Sequence, residues 1–242
     1  MPRYTRDQYV AVINDFYTFL TRLHIPESAI VHPPEGGWPN ITPGYCGGLG
    51  KSAFVIDLLK HLPYIEGGRE NGVDIHYKCN VLDYSTVMPV DFGNPQLRVA
   101  EIPAEAEGPI PPHTVVIAEG HESGGRVLLL DTEEGVVIEE EIRCQCNGGF
   151  DVMEYFEDLK KKYETLEIFY IPGTETVQLM DTDEFDENGT ARPVEGPLRH
   201  GEFFSTEEDK HWVRYLFQSH GWPGPEFRRE ECFEVSLRSI ER

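Results

Sequence analysis

At 242 residues and 27.6 kDa, with 39% hydrophobic residues, the chain is long enough to bury a sizeable core as one large domain or two small ones. Its 43 acidic and 21 basic side chains give a formal net charge of -22, a field that repels phosphate backbones and attracts basic partners. That balance argues against direct nucleic-acid binding, and no run approaches the roughly 18 apolar residues of a membrane span. Charges throughout residues 1–21 leave no signal-peptide core, so the expectation is a cytoplasmic or nuclear chain with no membrane association.

Thr5 and Gln8 have capping-box spacing, and Tyr9, Val12, Ile13, Phe16, Phe19, Leu20 and Leu23 recur at helical spacing, predicting a helix from about Thr5 to Leu23 with one buried face. Residues 25–50 are rich in Pro and Gly and read as one long loop, the kind that often carries function. A second helix is predicted from about Lys51 to Leu62, stopped by Pro63. Alternation of Val73, Ile75, Tyr77 and Cys79 against Asp74, His76, Lys78 and Asn80 predicts one half-buried strand. It also places His76 and Cys79 on opposite faces.

Prolines bound a connector over 88–112, in which Leu97 to Ile102 reads as a short strand. Thr114 to Ala118 and Arg126 to Leu130 read as strands, the second an apolar run suited to a central position. Asp131 to Gly135 turns the chain, with Gly135 supplying positive φ, and Val136 to Ile142 returns antiparallel. Alternation puts Glu139 and Glu141 on one face and Glu140 on the other, and so many charges read as an edge strand left partly uncovered. Asp151 is placed to cap a helix running to about Leu166. Beyond it come a strand over 174–180, an acidic loop over 181–200, and a C-terminal helical extension over 201–242, with Ser205 and Glu208 as a second capping box.

Familiar motifs break down at particular positions. Gly50-Lys51-Ser52 ends like a phosphate-binding loop, but Tyr45 stands where the first glycine belongs. The acidic stretch from Asp181 has Asp186 in place of the calcium-loop glycine and Arg192 in place of its twelfth, acidic ligand. Cys144-Gln145-Cys146 lacks zinc-ligand spacing, and five scattered cysteines do not make a disulfide framework. No metal or cofactor is expected. Cys46, in a glycine-rich loop just before a helix, is the best candidate nucleophile because a helix dipole lowers a thiol pKa.

The run PPHTVVIAEGHESGGRVLLLDTEEGVVIEEEI, followed by FDVMEYFEDLKKKYETL, resembles the C-terminal half of the SUKH superfamily, which includes bacterial immunity proteins against toxins and fungal cell-wall assembly regulators. The resemblance covers roughly Pro111 to Leu166: a proline-led strand, the Leu128-Leu129-Leu130-Asp131 strand ending, the Gly135-Val136 hairpin return, and a helix beginning at Phe150-Asp151. It implies a single α+β domain that offers a concave face or pocket to protein partners.

The chain therefore reads as one α+β domain, a mostly antiparallel sheet flanked by N-terminal and C-terminal helices, with its core over about 5–172. The expected function is an acidic protein-interaction module, immunity-like or regulatory, for a basic protein partner. Trp38, Tyr45 and Trp222 are the expected aromatic contacts, since tryptophan is enriched in binding hot spots. Asp131, Glu133, Glu134 and Glu139 are the expected acidic rim. Two alternatives stay open: a small-molecule enzyme, if Cys46, His76 and a carboxylate share a pocket, or a noncatalytic ligand carrier, if Trp38 and Tyr45 line an apolar one.

Overall fold

Thr5 accepts a hydrogen bond from the Gln8 amide at 3.3 Å while the Gln8 side chain accepts one from the Thr5 amide at 2.9 Å, and this reciprocal cap starts α1 (Arg6–Leu20). Its apolar stripe is buried, with Tyr9 and Phe16 fully enclosed, and each such side chain contributes about 1.5–3 kcal/mol. Ser52 Oγ accepts from the Val55 amide and starts α2 (Ala53–His61). Arg6 meets Asp57 at 3.2 Å between the two helices, and the rings of Tyr9 and Phe54 pack edge-on at 6.2 Å.

In the computed structural model, residues 1–66, 73–86, 110–143, 146–172, 175–179 and 207–240 are described. The expected strand at 97–102, the acidic loop at 181–200, Ser205 and Cys144 lie outside them. The segment read as one long loop contains β1 (Ile30–Val31), which pairs antiparallel with β2 (Tyr64–Ile65). Two residues are too few to show alternation.

Six further strands form one antiparallel sheet in chain order: β3 (Asp74–His76), β4 (Cys79–Val81), β5 (Thr114–Gly120), β6 (Arg126–Asp131), β7 (Val136–Glu141) and β8 (Cys146–Asp151). Two expectations are corrected here. The strand expected over 73–82 is a hairpin turning at Tyr77-Lys78, with Lys78 at φ 47°, so His76 and Cys79 are cross-strand partners on one face. Strand β7 is not an edge, because β8 pairs with it along its length and Glu139 and Glu140 are each only 8% exposed. With its Asn-Gly-Gly centre, β8 carries no apolar alternation by which sequence could reveal it.

Asp151 then caps α3 (Val152–Glu164), its carboxylate accepting from the Met153 amide at 3.0 Å. The chain continues through β9 (Ile168–Tyr170), paired antiparallel with β10 (Thr176–Gln178), to α4 (Glu207–Ser219) and α5 (Arg229–Ile240). The class is α+β, with mostly antiparallel sheet and helices toward both ends of the chain. Contacts group the residues into two compact units, 1–21 with 25–158 and 22–24 with 159–242. The first holds the six-stranded sheet with α1 and α2. The second holds β9, β10, α4 and α5 around Phe169, Phe217 and Trp222.

Candidate functional site

The β3–β4 hairpin brings polar side chains to both faces of the sheet at one end. Gly125 lets the start of β6 pass close beneath it, since a Cβ there would fall 2.7 Å from the Lys78 carbonyl oxygen. On the face that meets α3, Arg126 Nε lies 3.0 Å from Glu139 Oε1, and its Nη1 lies 2.6 Å from Glu141 Oε2. Tyr155 Oη donates to Glu139 Oε2 at 2.8 Å, and His76 Nε2 stands 3.7 Å from that oxygen. The Tyr77 amide donates to His76 Nδ1 at 2.6 Å, which directs a neutral ring's proton to Nε2 and toward Glu139. Burial, reinforced by the Glu139 charge, pushes the Tyr155 hydroxyl well above its ordinary value and keeps it a donor.

The opposite face carries a second set. Asp74 opposes Asn80 and Asn80 opposes Glu119, so the three share one cross-strand row. Asp74 Oδ1 accepts from Asn80 Nδ2 at 2.7 Å and lies 3.0 Å from His121 Nε2. Asp74 is 4% exposed and the His121 side chain 38%, so a buried carboxylate orients a partly open imidazole. Ala118 opposes Leu128, which sets Glu119 beside Val127, and Val127 in turn opposes Glu140. Burial raises the Glu140 carboxyl above its ordinary range.

The acidic turn is at the other end of β6. Asp131 Oδ1 accepts the Glu133 and Glu134 amides at 2.9 and 3.0 Å, leaving both glutamates exposed. Gly135, at φ 69°, is packed under Arg3 and Tyr4, whose side chains a Cβ would strike. His113 stands 3.5 Å from Asp131 and 3.6 Å from Glu133.

The expected aromatic contacts divide. Trp38 is half-buried on the end of α2, its amide donating to the Lys60 carbonyl at 2.8 Å and its indole to the Leu62 carbonyl at 2.9 Å. Tyr45 is also half-buried. These two and the turn acids make separate contacts. Trp222 belongs to the second unit and is only 4% exposed, its indole donating to the Tyr163 carbonyl at 3.0 Å beside Phe227, so it packs a core instead of facing a partner. Glu139 is likewise withdrawn from the expected rim, held inside by Arg126 and Tyr155.

Cys46 is 1% exposed, and burial pushes its thiol up, the reverse of the activation expected from a helix terminus. Cys79 is raised further by burial and by the charges of Asp74 and Glu139. Ser52 is engaged as a helix cap, and Lys51 Nζ bonds the carbonyls of Ile110 and Pro111, a structural use of the Gly50-Lys51-Ser52 segment.

Arg126, Tyr155, Asp74 and His121 were not legible as site residues. The only signal was that Glu139 and Glu141 share a face, which asks for a cation opposite. Among the described residues no group of three or more His, Cys, Asp or Glu side chains is placed to hold a metal ion. No family model, curated protein or solved structure matches this chain.

Proposed function

We propose that the chain is an acidic protein-interaction module, immunity-like or regulatory, whose partner is a basic protein. The reading rests on one observation: Glu133 and Glu134 stand exposed on a turn held by Asp131, in a chain of net charge -22. A rigid acidic turn in a strongly negative field raises the encounter rate with cationic surfaces and sets their orientation. The SUKH resemblance over 111–166 is in keeping with this function.

The test is a pull-down from native lysate at low and high salt, using the wild type and the Glu133→Lys/Glu134→Lys variant. A basic protein held by the wild type at low salt, and lost on adding salt or reversing the two charges, supports the reading. Equal retention by both proteins, or retention of nothing, contradicts it.

A second reading, general-base chemistry, is favoured by the Asp74–His121 pair, in which a buried carboxylate orients a half-open imidazole at 3.0 Å. Turnover of a small ester or amide that disappears in His121→Asn would favour it.

A further inference from the structure

Glu139 and Glu141 share Arg126, but Glu140 between them points to the other face and meets no cation among the described residues. Its Oε2 is closed to solvent without a hydrogen-bond partner among the described residues, and the residue is 8% exposed. A carboxylate removed from water without a counter-charge is costly, and the cost is recovered when a cation with matching donors arrives. The chain has a surplus of acids, so the missing cation is not in short supply only here; it is in short supply throughout. Glu140 also has acidic company on its own face. Asp74 and Glu119 lie along the same cross-strand direction, and the strand spacing puts the Glu119 and Glu140 backbones about 10 Å apart across Val127.

From this we infer that Glu140 is the socket for one arginine side chain of the protein partner, its guanidinium paired with the buried carboxylate. Guanidinium suits the place better than ammonium because it is more weakly hydrated and presents a planar fork to a carboxylate. The inference rests on the proposed basic partner and names one point of its recognition.

The experiment uses the full chain with carboxyl-13C glutamate and two probes, N-acetylarginine amide and an arginine octapeptide. Glu140→Gln assigns the Glu140 signal and removes the charge, while Glu140→Asp keeps the charge on a shorter side chain. The expected result is a saturable shift of the Glu140 signal with either arginine probe, affinity falling at least about tenfold in Glu140→Gln and remaining in part in Glu140→Asp. N-acetyllysine amide is expected to bind more weakly. Binding that leaves the Glu140 signal unmoved, or is equal in Glu140→Gln, overturns the socket. Binding of the free amide with exclusion of the octapeptide overturns a protein side chain as the occupant. Salt-sensitive binding of the octapeptide elsewhere on the surface would leave the acidic-module reading standing while the socket falls, whereas an octapeptide that never binds at low salt counts against both.

Discussion

A buried carboxylate without a cation makes its residue a source of instability that a neutral isostere removes. Replacing Glu140 by Gln is expected to raise unfolding stability at neutral pH by about 1 kcal/mol, read from urea denaturation. The sign follows from the raised folded-state value of the Glu140 carboxyl. Its favourable contribution is full below the unfolded carboxylate pKa of about 4.3 and is lost as pH rises through the folded value. The gap between variant and wild type should therefore open with rising pH across that window. Asp83, also raised by burial, acts in the same direction in both proteins and cancels in the difference. An unchanged gap from acid to neutral pH would contradict the assignment. Thiol chemistry gives a second check at this scale. Cys46 and Cys79 are buried with raised thiols, and Cys232 is pushed up to about 12. Mass-mapped iodoacetamide labelling should reach these three slowly in the native protein and fast in urea. Rapid native labelling of Cys46 would restore it as a nucleophile.

Among the strands, β7 carries the largest charge load, and the way its charges are met decides its stability. Removing Arg126 leaves Glu139 inside with Tyr155 as its donor, so Arg126→Met is expected to cost about 3–5 kcal/mol in urea unfolding. Pairing it with Glu139→Gln should recover a large part of that loss; a fully additive double variant would show that the two side chains are not coupled. The same strand shows what sequence could and could not reveal. The alternation of Glu139 and Glu141 against Glu140 was legible, because it is fixed by the pleat. The partner strand β8 was not, because Asn147-Gly148-Gly149 has neither alternation nor β-branched residues. The capping box at Thr5 and the cap at Asp151 were readable from local chemistry, whereas the helix expected from Lys51 is started by Ser52. The β3–β4 hairpin was not, since its turn is Tyr77-Lys78 with no glycine or asparagine to mark it. Trp222 looked like an exposed anchor from its Gly-Trp-Pro setting, and only tertiary packing on Phe217 and Phe227 places it inside.

For the molecule as a whole, the sign and size of the charge bear most on function. A formal charge of -22 on an α+β chain with a rigid acidic turn favours fast, salt-sensitive capture of cationic surfaces over tight burial of apolar area. Among the described residues no helix is long and apolar enough to cross a membrane. The measurement that tests the central claim most directly is the association rate of the captured partner with wild type and with Glu133→Lys/Glu134→Lys, each across a range of salt. The account predicts a wild-type rate that falls steeply with salt and a variant that associates more slowly with a shallower dependence. Equal rates and equal salt slopes in the two proteins would contradict it.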